Sequence, residues 1–286
     1  MGALLIVVAA MTWGTTGATM KLVAAGSPMS PLIVGLLRVA IAAPFLWFAA
    51  RWLAGPIRIG SRGDWKRFLV AGVAMGVYQP LYFWGVAMTS VAVGSLIAIC
   101  SAPLLITLLA AMFLGERIDT RTWTALLVGI TGAALLTLGP HGLSKPPPGF
   151  LIGVALELGA GLSYAVYAVS VKGLVHRAPP LSIAAVTFSI AALSLLPLLF
   201  VEWPAADARG WALLVYLGVV PTALAYALYA IGLRTTRVTV SGVLTLVEPL
   251  TATLLGVLFF GDRLGQVGAV GAALLLVAVL GLTTRR

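Results

Sequence analysis

Three charged side chains, Arg38, Glu157 and Glu248, stand inside long apolar stretches, where an isolated charge is costly and must find a partner or a wet cavity. Arg38 and Glu248 admit two readings. Either Arg38 meets a substrate carboxylate and Glu248 an ammonium, or the two form an ion pair that ties helices together. Glu157 admits a substrate or proton site on one reading and a structural charge on the other, and the structural reading is the one favoured. Aromatic residues recur around these charges at helical spacing. Tyr78 and Tyr82 are four apart, Tyr164 and Tyr167 three apart, and Tyr226 and Tyr229 three apart, so each pair shares a helix face. Trp13 lies mid-stretch, and Thr16, Gln79 and Ser163 supply polar groups nearby. Tyrosine in a membrane usually keeps its hydroxyl at the interface; these lie deeper, so their hydroxyls need partners or water. Apolar walls with a few orienting polar groups describe a small-molecule chamber, in which Trp13, Thr16, Arg38, Tyr78, Gln79, Tyr82, Ser163, Tyr164, Tyr167, Tyr226, Tyr229 and Glu248 are the candidate substrate-binding residues.

Other chemistries find no support. Intramembrane hydrolysis needs a Ser–His pair or two aspartates at depth. Asp64, Asp119, Asp207 and Asp262 fall in loops or at span ends, as do His141 and His176. Cys100 is the single cysteine, so there is neither an intrachain disulfide nor a thiolate metal cluster. No enzyme activity, cofactor or metal is expected.

The elements that hold these residues follow from composition. The chain has 286 residues, of which 61% are hydrophobic and 9% charged, more apolar surface than a soluble domain buries. Runs of about 20 apolar residues, the length that crosses a hydrocarbon core, place ten transmembrane helices near 2–25, 30–52, 66–88, 91–114, 122–139, 149–172, 181–201, 210–233, 238–260 and 264–282. The first run lacks a basic n-region and continues past signal-peptide length, so it reads as a span. The net charge of +10 sorts by loop. One set of connections carries Arg51, Arg58, Arg62, Lys66, Arg67, Arg117, Arg121, Lys172, Arg177, Arg234, Arg237, Arg285 and Arg286; the other carries only Lys21, Lys145, Arg209 and Arg263. That asymmetry puts both termini in the cytoplasm and makes the basic excess a matter of topology, with a lipid bilayer and no nucleic acid as partner. The oligomeric state stays open; a monomer is compatible with the sequence.

The chain is written twice. Ala102-Pro103 and Gly115-Glu116-Arg117 return at the same spacing as Glu248-Pro249 and Gly261-Asp262-Arg263. Gly85–Val93 returns as Gly232–Val240, and Trp13 and Lys21 fall opposite Tyr164 and Lys172. Residues 1–140 form a first five-helix repeat, 141–148 a Pro- and Gly-rich linker, and 149–286 a second repeat. Five crossings are an odd number, so the second copy enters from the opposite side. The fold class is therefore all-α integral membrane, ten helices as two inverted five-helix repeats. Pro103 and Pro249 occupy matched places. Each loosens the carbonyl four residues back, at Ile99 and Thr245, and both helices should bend there as hinges.

Ten spans in two halves, with an AP…GER run in the fourth and an EP…GDR run in the ninth, resemble the drug/metabolite transporter superfamily and its EamA-type branch. Trp13–Lys21 (WGTTGATMK) and the aromatic set are similar to exporters of the YddG type. The resemblance implies a bacterial inner-membrane transporter that exports aromatic and other amino acids, and related small metabolites, by alternating access. Its cavity would be built from spans 1, 3, 4, 6, 8 and 9. A proton-coupled multidrug exporter is the alternative, with a membrane-embedded enzyme behind it. Small multidrug proton pumps carry a glutamate before Gly-Thr-Thr in their first helix; here that stretch, Met11–Thr16, holds no acid.

Overall fold

Apolar runs become helices where caps and breakers bound them. Pro31 takes the first turn of its helix, where no amide partner is needed, and the Ser30 hydroxyl accepts from the Ile33 amide at 3.4 Å. Asp119 accepts from the Thr122 amide and Asp207 from the Gly210 amide, both at 2.7 Å. In this computed structural model the described residues are all except 27, 28, 58, 62, 90, 139–147, 261–264 and 284–286. Most of the 141–148 linker, Asp262, Arg263 and the terminal arginines thus lie outside them.

The helices are α1 (Gly2–Trp13), α2 (Thr15–Gly26), α3 (Pro31–Leu53), α4 (Trp65–Met88), α5 (Val91–Leu114), α6 (Thr120–Leu138), α7 (Phe150–Leu174), α8 (Pro180–Leu195), α9 (Ala208–Gly218), α10 (Ala225–Leu233), α11 (Val238–Leu244), α12 (Val247–Phe260) and α13 (Gln266–Thr283). A 3-10 turn, Leu196–Phe200, extends α8, and a π turn, Val219–Leu224, joins α9 to α10. No strand occurs among the described residues. Among the described residues eight helical runs are long and apolar enough to cross a membrane, and Gln266–Leu282 is a shorter apolar helix. Phe48, Phe113, Phe200, Trp203 and Leu258 are exposed, as lipid-facing side chains are.

Three expected spans are interrupted. The first breaks at Gly14, the eighth carries the π turn, and the ninth breaks at Thr245–Leu246. The last break sits where Pro249 withdraws its donor from the Thr245 carbonyl. The matching proline behaves differently: α5 runs as one helix through Pro103, so the interruption expected of both helices is found in one.

Packing follows the glycines. α7 lies against α4 and α5, α1 against α10, α3 against α8, and α6 against α13. A Cβ on Gly232 of α10 would stand 2.7 Å from the Gly2 carbonyl oxygen of α1. A Cβ on Gly153 of α7 would stand 3.1 Å from the Gly85 carbonyl oxygen of α4. These two crossings join matched elements of the two halves through matched glycines. Backbones approach so closely only where side chains are absent.

Candidate substrate chamber

The aromatic residues singled out by spacing converge on one place. Trp13 of α1 meets Tyr226 and Tyr229 of α10 with ring centroids 4.8 and 5.5 Å apart, and Tyr164 of α7 edge-on at 6.1 Å. Tyr164 in turn lies 6.2 Å from Tyr78 of α4, which stacks on Tyr82 at 5.6 Å. Tyr167 contacts Tyr226 at 5.6 Å, and Phe188 of α8 closes that side at 4.6 Å from Tyr226. These are edge and offset geometries that aromatic pairs favour. Five helices, α1, α4, α7, α8 and α10, thus contribute one continuous aromatic wall.

Polar atoms within this wall are left without partners. Trp13 Nε1 and the Tyr167 hydroxyl are buried and make no hydrogen bond, nor does Gln79 Oε1, which lies beside Gly35 of α3, whereas the Tyr164 hydroxyl interacts with that of Tyr229. Buried polar groups are nearly always paired, so a cluster of orphans marks a place for water or a ligand. Two tyrosines have serine partners, and they are repeat-related. Tyr82 bonds Ser95 of α5 at 2.7 Å and Tyr229 bonds Ser241 of α11 at 3.1 Å. Ser95 and Ser241 each precede a matched proline by eight residues. That spacing could have revealed them, but in sequence they read only as neighbours of loosened backbone.

Arg38 is 7% exposed and reaches the wall from α3. Pro221 has no amide proton to offer the Leu217 carbonyl, and the Thr222 hydroxyl donates to that oxygen at 2.7 Å instead. The same hydroxyl accepts from Arg38 Nε at 3.2 Å. The Nη groups of Arg38 are not fully enclosed and bond no described residue. Thr222 was not among the candidates; its one sequence signal is its place directly after a mid-span proline.

Gly14 brings Glu248 in, because a Cβ there would stand 2.7 Å from the Glu248 carbonyl oxygen. Arg38 and Glu248 both act electrostatically on Tyr78 and Tyr82. Yet no ion pair joins them among the described residues, whose ion pairs are Arg67–Asp64, Arg177–Asp64 and Arg237–Asp119. The two charges still act on each other electrostatically across that separation. Thr16 and Ser163 are half-buried, and no hydrogen bond ties either to the wall. Ser163 adjoins Tyr164 but points about 100° away around the helix. Pro103 packs on Gly242 of α11, where a Cβ would lie 3.2 Å from Pro103 Cα, so α5 crosses α11, the helix that precedes the Thr245–Leu246 break.

One end of the bundle is tied shut. The Glu116 carboxylate accepts from the Val238 and Thr239 amides at 3.0 and 3.2 Å and from the Thr239 hydroxyl at 2.9 Å, capping α11. Lys172 Nζ donates to the Leu233 and Thr236 carbonyls at 2.7 and 2.8 Å, capping α10. Arg237 bridges to Asp119 at 2.9 Å. Hydrogen bonds from the Thr122 side chain and amide, and then Arg237, hold the Asp119 carboxyl below the usual carboxylate range. At the same end Asp64 joins Arg67 and Arg177, each at 3.2 Å; the Ser61 amide and hydroxyl, ahead of both arginines, lower its carboxyl.

The EamA-like transporter family model matches this sequence twice, over residues 1–138 and 151–284. The chain belongs to the EamA-like transporter family. It is 34% identical to the uncharacterized transporter YwfM of Bacillus subtilis, over 97% of this chain and 92% of that protein. It is 29% identical to the aromatic amino acid exporter YddG of Ancylobacter novellus, over 62% of each chain. A solved crystal structure superposes with a TM-score of 0.85 over 99% of this chain and 96% of its own, at 23% identity, which is a likeness of fold. This EamA-like protein is thus a multi-pass membrane transporter.

Proposed function

We propose that this protein exports amino acids, aromatic ones among them, and related small metabolites by alternating access. The carrying observation is an aromatic wall with orphaned polar atoms, bordered by the cation Arg38 and the anion Glu248, which form no salt bridge with each other among the described residues. A free amino acid is complementary to that set. Its side chain lies on the rings, its carboxylate meets the Nη groups of Arg38, and its ammonium meets Glu248. The amino-acid exporter among the relatives supports the same substrate class.

The transport machine is ten helices in two inverted five-helix repeats, residues 1–140 and 149–286, with both termini in the cytoplasm. The doubled family match and the two matched glycine crossings support the repeat. On this topology the ties made by Glu116, Lys172 and Arg237 lie at the cytoplasmic end, so the conformer is closed inward. The break at Thr245–Leu246, beside Pro249 and Glu248, serves as a hinge, with Pro103 as the opposing pivot.

Uptake of a labelled amino-acid panel into proteoliposomes tests this reading. Downhill flux of at least one amino acid, inhibited by its congeners and reduced in Glu248→Gln, is expected. Absence of flux across the panel, with the protein folded and inserted, would refute it.

A further inference from the structure

Glu157 lies in α7, seven residues before Tyr164, and forms no part of the aromatic wall. Its side chain is 0% exposed, and neither carboxylate oxygen has a hydrogen-bond partner. The carboxyl occupies a slot made by two glycines. A Cβ on Gly85 of α4 would stand 2.6 Å from Oε1, and a Cβ on Gly94 of α5 would stand 2.7 Å from it. Three helices therefore enclose it.

The repeat shows what this slot ordinarily holds. Aligning Trp13 with Tyr164 and Gly2 with Gly153 sets Ile6 against Glu157. Ile6 is also 0% exposed and packs on Gly232, the counterpart of Gly85, with its Cγ1 2.7 Å from where a Cβ would be. A slot that takes an isoleucine in one half takes a carboxyl in the other. Packing alone calls for the hydrocarbon, since a buried ion without a partner is among the most costly groups a bilayer protein can hold.

Among the described residues no cation compensates for it. From α4 the one titratable group close enough to interact is Tyr82. From α5 the residue against the carboxyl is Gly94, followed by Ser95. Within α7 the next charge is Lys172, about four turns away and already committed to carbonyls of Leu233 and Thr236. The slot also touches the moving parts, since Gly94 adjoins Ser95, which Tyr82 of the aromatic wall bonds at 2.7 Å.

Resting on the transport reading, we propose that Glu157 is a proton-binding site that couples export to the proton gradient. The carboxyl is neutral while α4, α5 and α7 enclose it, and it releases its proton when α5 parts from α7 and water enters. The proton leaves the carboxyl oxygen as hydronium and returns from water, so charge and atoms balance over a cycle.

The test uses full-length protein in liposomes with a potential clamp. At one proton per substrate, a one-unit pH gradient should drive about tenfold accumulation of a transported amino acid. Substrate addition should also move the signal of a trapped pH dye. Glu157→Gln keeps the shape of the side chain, and Glu157→Ile copies the other half. Both should exchange substrate at the wild-type rate with no pH gradient, yet give neither accumulation nor a dye signal. Coupling retained in Glu157→Gln and Glu157→Ile, or a wild type that transports without moving protons, would overturn the proposal. A wild type that moves no amino acid would instead defeat the carrier reading. In that case infrared difference spectra still decide the protonation of Glu157. A protonated-carboxyl band present in wild type and lost in Glu157→Gln supports the proposal, and its absence from wild type overturns it.

Discussion

Thr222 holds Arg38 in place, and replacing it tests how much of substrate recognition depends on that hold. Thr222→Val keeps the volume and removes the hydroxyl, which at present donates to the Leu217 carbonyl at 2.7 Å and accepts from Arg38 Nε at 3.2 Å. Thr222 is 0% exposed, so water cannot replace either bond. A hydrogen bond to a charged group contributes about 1.5–3 kcal/mol, and an orphaned buried carbonyl costs about 1–3 kcal/mol. At about 1.4 kcal/mol per decade, loss of the first bond corresponds to roughly a 10- to 150-fold weaker grip on a carboxylate. Proteoliposome kinetics should show KM rising by at least about tenfold for amino acids, with kcat little changed, because a positioning group has been lost. The matching decarboxylated amine should be carried as before. Thr222→Ser should restore wild-type behaviour. An equal rise in KM for acid and amine, or a serine variant as impaired as the valine one, would refute the positioning role.

Three further outcomes are expected. Gly232→Ala sets a methyl 2.7 Å from the Gly2 carbonyl oxygen and should cost about 1–3 kcal/mol of stability. Gly17→Ala, with nothing within 4 Å, should cost none, and equal melting temperatures would contradict the close α1–α10 crossing. Tyr82→Phe and Tyr229→Phe each remove one neutral hydrogen bond of about 0.5–1.5 kcal/mol from opposite ends of the chamber. In a Cys100→Ala background, labelling of Thr16→Cys by an impermeant maleimide from outside should accelerate with the first and slow with the second, and changes in one direction would argue against matched closures. Pro148→Cys in that background should label from outside intact cells; labelling only after lysis would reverse the topology.

Much of the chamber was legible because it is built on helix faces. Tyr78 with Tyr82, Tyr164 with Tyr167 and Tyr226 with Tyr229 are spaced to share a face, and those faces meet in the folded chain. The break before Pro249 was legible from the missing donor, whereas the uninterrupted α5 was not, since surrounding packing decides whether a proline breaks a helix. Arg38 invited pairing with Glu248 because both are charges inside apolar spans; the hydrogen bond it makes depends on a hydroxyl turned by Pro221 on another span. No periodicity carries that information. The same holds for the Glu157 slot, which is defined by two glycines from separate helices.

The π turn at Val219–Leu224 has a consequence for energetics. Gly72 and Gly218 are counterparts, each lying under the equivalent helix of the other half, against Ile190 and Ile41 respectively. Gly85 and Gly232 are counterparts as well. Thirteen positions separate the first pair members along α4, but fourteen separate Gly218 from Gly232. The second half thus carries one additional residue, absorbed as the wide turn that aims Thr222 at Arg38. On the proposed inverted repeat, the two end states would be degenerate if the halves were interchangeable. An unshared residue removes that degeneracy, so the empty carrier has a preferred resting side, and its apparent affinities measured from the two faces of the membrane are unequal.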